Sequence, residues 1–166
     1  MKNNLLICIG VFFSLAVSRF IPHPPNFTSL VALSFYVPVF FGRKYIPVVI
    51  LSFAITDLII GYHNGTHWTW GSVLVIGLVS SFFASKLMYR ILGSLVGCVI
   101  FYAMTNFGVW TTGMYGLTFN GLIECYILAI PFFGNTLSST LIFSIIIELT
   151  YICLIKIKKK YLLKYK

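Results

Sequence analysis

The stretch GRKYIPVVILSFAITDLIIGYHNGTHWTW, Gly42–Trp70, contains the pattern that decides the fold. It begins with the cations Arg43 and Lys44 and continues as an apolar run to about Gly61. It ends in a segment that has histidine and tryptophan but no lysine or arginine. Positive residues remain on the cytoplasmic side of a membrane during insertion, and tryptophan collects at the headgroup level. The stretch is therefore typical of one membrane crossing with a basic inner end and an aromatic outer end.

The same alternation continues through the rest of the chain. Every second gap between apolar runs is basic, and these gaps hold Arg43, Lys44, Lys86, Arg90 and six lysines between Lys156 and Lys166. The other gaps lack lysine and arginine except for Arg19, and they carry His23, His63, His67, Trp68, Trp70 and Trp110. The alternation predicts a multi-pass membrane protein with both termini in the cytoplasm.

The composition excludes a soluble protein. Only 9% of the residues are charged and 59% are hydrophobic, whereas a soluble domain has about 25% charged residues. A net charge of +9 would suggest a nucleic-acid partner for a soluble protein. Here the charges line the membrane edge, so we expect the basic tail to contact anionic lipids and expect no nucleic-acid binding. The four cysteines lack CxxC spacing and are expected to be buried apolar residues.

The apolar runs predict one transmembrane domain, residues 1–155, followed by a basic cytoplasmic tail, residues 156–166. Six spans are expected, at about residues 3–18, 27–41, 45–61, 71–85, 91–107 and 136–155. The predicted fold is therefore an all-α membrane protein, a bundle of six transmembrane helices.

The apolar segment at about residues 121–133 is an exception to this pattern. Thirteen residues rise only about 20 Å as a helix, which is short of a hydrocarbon core about 30 Å thick. If the segment crossed the membrane, the C-terminal lysines would lie outside. We therefore expect a re-entrant or interfacial short helix on the outer side, before the last span.

A face of small residues on the first span has two interpretations. Gly10, Ser14 and Ser18 recur every four residues, and such faces let helix backbones approach closely in lipid. The face either packs inside the bundle or docks another membrane subunit.

The three acidic residues all lie in or near apolar runs, where a charge normally needs a partner. Asp57 lies near the outer end of the third span, and it is expected either to pair with Arg19 or a histidine, or to contact a ligand. Glu124 is expected to face an outer cavity or lipid headgroups, and Glu148 to be structural or to face a partner.

The outer gaps also hold a cluster of polar and aromatic residues that predicts a ligand cavity. Its amides are Asn26, Asn64, Asn106, Asn120 and Asn135. His23, His63 and His67 could coordinate a transition metal, but interfacial histidines more often only form hydrogen bonds, so the metal question stays open.

Several activities are excluded by missing motifs. The chain has no GxxxxGK[ST] sequence, so it cannot use ATP by itself. It has no recognisable nucleophile with a base and no carboxylate pair at catalytic spacing. We expect no enzymatic activity and no cofactor.

Three segments carry a resemblance to a known family: RFIPHPPNFT at 19–28, TDLIIGYH at 56–63 and AIPFFGNTL at 129–137. They resemble a family of small bacterial membrane proteins of unassigned function, which is similar to the substrate-capture (S) components of energy-coupling-factor (ECF) vitamin importers. The similarity to S components rests on size, six spans and the small-residue face of the first helix.

The resemblance implies capture of a vitamin-like molecule, cobalamin being one candidate, or of a metal ion from outside. It implies partners as well, a membrane coupling subunit and ATPases, with Gly10, Ser14 and Ser18 on the docking face. The implied ligand-binding residues are His23, Asn26, Asp57, His63, Asn106 and Trp110. The competing hypothesis is a non-transporting subunit packed among other integral membrane subunits, and a third is a facilitator that conducts alone.

Overall fold

Seven α-helices and two short 3-10 turns make up the computed structural model, which describes residues 2–62 and 65–164. The helices are α1 (Lys2–Phe20), α2 (Leu30–Phe41), α3 (Ile46–Ile60), α4 (Thr66–Val79), α5 (Leu87–Thr111), α6 (Phe119–Leu128) and α7 (Ile130–Lys164). The 3-10 turns are Arg43–Tyr45, before α3, and Ser80–Phe83, after α4. The described residues contain no β-strand, and the prediction of an all-α fold is confirmed.

Helix α2 is the core of the bundle. Its residues Leu30–Pro38 are buried without a break, and it contacts α1, α3, α4, α5 and α7. A helix that is apolar on all sides is stable only when it is covered on all sides. The large rings of Phe35 and Tyr36, each 1% exposed, fill the space between α2 and its neighbours.

Two glycines end helices at predicted turns. Gly42 (φ 96°) follows α2 and Gly61 (φ 126°) follows α3, and side chains rarely adopt such left-handed φ values. After Gly42, Arg43 and Lys44 form the 3-10 turn that leads into α3. This turn and Lys86 mark one end of the bundle, which we call the basic end. The opposite end, where α1, α3 and α5 finish, is the cavity end.

Helix α5 lies very close to α2 because glycine replaces a side chain at the contact. A Cβ atom at Gly93 would lie 2.6 Å from the ring of Phe35. On its other side α5 packs against hydroxyl groups of α7, and Ser144 Oγ donates to Ser94 Oγ at 3.1 Å. Small residues therefore set the spacing of α2, α5 and α7.

A buried ion pair joins α5 to α7 near the basic end. Arg90 Nε and Nη2 donate to the two carboxylate oxygens of Glu148 at 2.6 and 2.7 Å, and both side chains are nearly buried. The guanidinium also lies over the rings of Phe40 and Tyr151, which stack on each other. Glu148 is thus a structural residue inside the bundle.

The short helix before the last span differs from the prediction in its boundaries. It covers Phe119–Leu128 rather than about 121–133, and only Ala129 separates it from α7. Residues 130–133 belong to α7 because Pro131 lies in its first turn, where a missing N–H costs nothing. Helix α7 has 35 residues and a length of about 52 Å, so the helix continues from the predicted last span into the predicted basic tail.

By length and composition, two of the described helices can cross a membrane, Leu87–Thr111 and Ile130–Lys156. The other apolar helices are shorter. They include Asn4–Phe20, Leu30–Phe41 and Phe119–Leu128.

Candidate functional site

A cavity of about 500 Å³ opens at the cavity end of the bundle. Its walls are formed by the last turn of α1, the second halves of α3, α5 and α6, and the first turns of α2, α4 and α7. Its polar lining consists of Arg19, His23, Asn26, Thr28, Thr69, Thr105, Asn106, Tyr115 and Cys125. Its apolar lining consists of Pro25, Leu30, Phe53, Ile60, Phe101, Val109, Leu128, Ala129 and Phe132. The size and the mixed lining are those of small-molecule sites.

Three of the six predicted ligand-binding residues line this cavity, namely His23, Asn26 and Asn106. Asp57 and Trp110 lie near it but are not part of its lining. His63 falls outside the described residues.

Asp57 lies behind the cavity wall, where both of its carboxylate oxygens have partners. Oδ1 is 2.8 Å from Arg19 Nη2, and Oδ2 accepts a hydrogen bond from Trp70 Nε1 at 3.0 Å. Asp57 is only 2% exposed. The pair with Arg19 was one of the two expected roles of this acid. Among the described residues, the second partner of Asp57 is Trp70, whereas the sequence suggested a histidine as the partner other than Arg19.

Arg19 forms the part of the ion pair that faces the cavity. Its Nη1 donates to the Thr56 hydroxyl and to the Phe53 carbonyl oxygen, the latter at 3.3 Å. The guanidinium lies 4.2 Å from the centre of the Phe53 ring. The cation is therefore fixed from three sides before any ligand arrives.

The proline-rich loop between α1 and α2 carries His23 and Asn26 to the cavity. Phe27 N–H donates to the Pro24 carbonyl oxygen at 3.0 Å, which closes a turn. Asn26 has a left-handed φ of 62°, a conformation that asparagine tolerates better than most residues. Asn135 Nδ2 of α7 donates to the Pro25 carbonyl oxygen at 3.0 Å. The loop is thus held to the first turns of α7.

The wall formed by α5 and α6 is held by reciprocal tyrosine bonds. Tyr102 donates its hydroxyl to the Tyr126 carbonyl oxygen at 2.5 Å, and Tyr126 donates to the Ala103 carbonyl oxygen at 2.6 Å. Cys125 Sγ donates to the Asn106 backbone carbonyl at 3.3 Å. Asn106 Nδ2 donates to the Tyr102 carbonyl within α5, which leaves its amide oxygen without a donor among the described residues.

Trp110 closes the turn between α5 and α6 instead of lining the cavity. Its Nε1 donates to the Thr118 carbonyl oxygen at 3.2 Å, and its ring packs on Phe107 at a centroid distance of 5.4 Å.

Several lining residues were not predicted from the sequence, above all Arg19 as a lining cation. The available signal was that Arg19 is the one lysine or arginine in the histidine-bearing gaps. Thr105 and Cys125 carried no signal, because single small polar residues in apolar runs usually mark helix packing.

No group of three or more His, Cys, Asp or Glu side chains that could hold a metal ion occurs within residues 2–62 and 65–164. His23 lines the cavity, whereas His67 is exposed and packs beside Trp68. The two described histidines therefore do not converge.

A second cavity, a groove of about 660 Å³, runs between α1 and α7. Ser14 and Ser18 of the predicted docking face line it, and Ser18 also shares a hydrogen bond of 2.8 Å with Ser29 at the start of α2. Gly10 is exposed, and a Cβ atom added there would meet nothing within 4 Å. In the described structure, the face at Gly10 and Ser14 is open, whereas Ser18 holds α1 to α2.

Fold and site together define an all-α bundle with two helices able to cross a membrane and a polar-lined cavity at one end. The chain belongs to DUF6580, a family of unknown function, whose model matches residues 1–162. Neither a curated protein nor a solved structure matches the chain.

Proposed function

We propose that α1, α2, α3, α4, α5 and α7 cross the bacterial cytoplasmic membrane six times, with α6 on the outer side at the cavity end. The bundle surface supports this topology because it is covered by exposed aliphatic side chains. Examples are Leu51, Ile55, Leu58, Leu92, Val99, Ile142, Ile145, Ile146 and Leu149. Soluble monomers rarely expose apolar patches of this extent.

Helix lengths are compatible with six crossings. Helix α1 has 19 residues and a length of about 28 Å, and the 3-10 turns lengthen α3 by three residues and α4 by four. Helix α2 has only 12 residues, but five other helices cover it, so it need not match the lipid thickness on its own.

We further propose that the protein is a substrate-capture subunit that binds a small organic molecule from outside, as the S components of ECF importers do. The observation that carries this proposal is the cavity of about 500 Å³ at the cavity end, where amide, histidine and hydroxyl groups meet four aromatic rings. A helix bundle without a ligand site is expected to have a close-packed interior and no cavity of this size.

The cavity favours a vitamin-like ligand of ordinary drug size. Its volume lies within the range of about 300–1,000 Å³ that is typical of drug-sized ligands, and the much bulkier cobalamin would need a wider opening. A metal ion is a weaker candidate, because His23 and Cys125 are the lining residues that metals prefer in the described part of the site.

The proposed partners are a membrane coupling subunit and ATPases, since the sequence has no ATP-binding loop of its own. Exposed Gly10 and Ser14 on α1 offer a surface on which another transmembrane helix could pack closely. The basic extension of α7 would then lie in the cytoplasm beside the anionic lipid surface.

Purification from native-host membranes tests this function. We expect the isolated chain to retain a small organic molecule in a ratio near one to one, identified by mass spectrometry. A stable stoichiometric complex with other subunits and an empty cavity would instead support the second candidate, a non-transporting structural subunit, which the open face of α1 also favours. Solute flux through liposomes containing this chain alone would support a facilitator.

A further inference from the structure

The charge of the cavity lining is the starting point for an inference about the ligand. Among the residues that the structure describes, Arg19 is the one lysine or arginine that lines the cavity. Its side chain is 13% exposed, whereas that of its partner Asp57 is 3% exposed and lies behind the wall. A molecule in the cavity therefore meets the positive end of the ion pair.

No acidic side chain balances Arg19 from inside the cavity. The chain has three acids, and the structure describes all of them. Asp57 is covered by Arg19 and Trp70, Glu148 is paired with Arg90 at the basic end, and Glu124 is exposed on α6 outside the lining. An anion in the cavity would therefore contact the guanidinium side of a neutral pair and would meet no acidic side chain in the lining.

The guanidinium also has hydrogen-bond capacity to spare. Arginine carries five N–H donors. Nη1 has two acceptors, Phe53 and Thr56, and Nη2 has Asp57. Nε and the second N–H of Nη2 have no acceptor among the described residues. Two donors on a fixed, partly desolvated cation suit an oxyanion.

We propose that the ligand is an organic monoanion whose carboxylate contacts Arg19 and whose apolar body lies against Phe101 and Phe132. A monoanion rather than a polyanion follows from the charge, because Arg19 is the one cation of the described lining and Asp57 already neutralises it from behind. The free N–H donors of Arg19 can hold a single carboxylate. The apolar body follows from Phe101 and Phe132, two of the four aromatic rings in the lining. This inference rests on the proposed capture function and narrows its substrate class.

Fractionated metabolites of the native host are the probe that tests the proposal. A small-molecule extract of the native host is separated on an anion-exchange resin into an unretained fraction, a fraction eluted at low salt and a fraction eluted at high salt. Each fraction is added to the purified protein in phosphatidylcholine nanodiscs, and the unfolding temperature is measured. A ligand that binds only the folded state raises this temperature. We expect the low-salt fraction, which contains monoanions, to do so.

Variants connect the effect to Arg19. Because Arg19→Gln alone leaves Asp57 unpaired, the informative variant is Arg19→Gln with Asp57→Asn, which removes both charges together. It should need at least about tenfold more of the low-salt fraction for the same shift, the effect of losing one charge-assisted hydrogen bond. Arg43→Gln is the matched control, since Arg43 is exposed at the basic end, and it should respond as the wild type does.

The other outcomes are distinct. Stabilisation by the unretained fraction would overturn the monoanion while supporting capture, and stabilisation by the high-salt fraction would mean a phosphate or another multiply charged ligand. An unchanged response of the double variant would overturn the role of Arg19. If no fraction stabilises the wild type, the capture function itself is wrong.

Discussion

At the residue scale, two buried ion pairs hold the ends of the bundle. Arg19–Asp57 joins α1 to α3 at the cavity end, and Arg90–Glu148 joins α5 to α7 near the basic end. Removing one member of such a pair leaves an uncompensated charge in a medium of low dielectric constant, and that costs far more than the pair itself contributes.

Glu148→Gln is therefore expected to lower the free energy of unfolding by about 3–5 kcal/mol. Replacing both members, Arg90→Gln with Glu148→Gln, should recover much of the loss because no lone charge remains. The measurement is thermal and denaturant unfolding in detergent, with Glu124→Gln, an exposed acid, as the matched control. A single variant as stable as this control would show that the Arg90–Glu148 contact is not a structural pair.

At this scale, a side-chain contact could be predicted from the sequence only where its partner was identifiable without knowing how the helices are rotated against each other. Arg19 is the one cation in its set of gaps, so its pairing with Asp57 was accessible. The contact between Trp70 and Asp57 could not be predicted, because it depends on how α4 is rotated against α3. The pairing of Arg90 with Glu148 likewise depends on the packing of α5 against α7.

At the scale of elements, glycines and serines decide which helix faces are closed and which are open. Gly93 is a closed contact, because a Cβ atom there would lie 2.5 Å from Phe83 Cβ and 2.6 Å from the Phe35 ring. Gly10 is open. Sequence alone could not separate these two glycines, since both belong to small-residue patterns that look alike.

Gly93→Ala should lower the free energy of unfolding by about 1–3 kcal/mol, the usual cost of an extra methyl group in a packed core. Gly10→Ala, the same change on an open helix face, should leave it unchanged or slightly higher because alanine favours helix. Unfolding of both variants in the same detergent provides the comparison. Equal destabilisation by the two changes would mean that α1 is packed on that face as well.

The open face of α1 gives a prediction about partners. Ser14 is exposed and lies in the groove between α1 and α7, so Ser14→Leu should leave the isolated protein folded and its ligand bound. It should reduce the amount of coupling subunit recovered with the tagged protein, because a larger side chain keeps helices apart. Ser138→Leu, an exposed serine of α7, is the control. Unfolding of Ser14→Leu would show that this face packs internally.

At the scale of the whole molecule, charge alternation predicts the orientation of the bundle in the membrane. A cysteine placed at Thr112, which is exposed at the cavity end, should react with a membrane-impermeant thiol reagent on intact cells. A cysteine at Lys86, exposed at the basic end, should react only after the membrane is opened. Both are introduced into a cysteine-free background. Labelling of Lys86→Cys on intact cells would contradict the orientation.

At this scale, the helices could be predicted from the sequence but the cavity could not. The order of apolar runs and basic turns predicted an all-α chain and a short helix before the last long one, because hydrophobic length and turn residues are local signals. The cavity could not be predicted from local signals, since its lining comes from all seven helices and from a loop tied to α7 through Asn135. His23, Asn26 and Asn106 were predicted for the site from their common level in the membrane. Asp57 shares that level but points its carboxylate into the wall.

A larger side chain that fills the cavity tests most directly whether the cavity holds a ligand. Thr105 lines the cavity, and among the described residues its hydroxyl bonds only to a carbonyl oxygen of its own helix. Thr150 forms the same kind of bond on an exposed face of α7, so Thr105→Phe and Thr150→Phe are a matched pair. Each variant and the wild type are purified from native-host membranes, and the bound small molecules are quantified by mass spectrometry. We expect a near-equimolar organic compound in the wild type and in Thr150→Phe. A folded Thr105→Phe should carry at most about a tenth as much, a tenfold change in affinity being about 1.4 kcal/mol. A Thr105→Phe protein that retains as much compound as the wild type, or a wild type that carries none, would contradict this expectation.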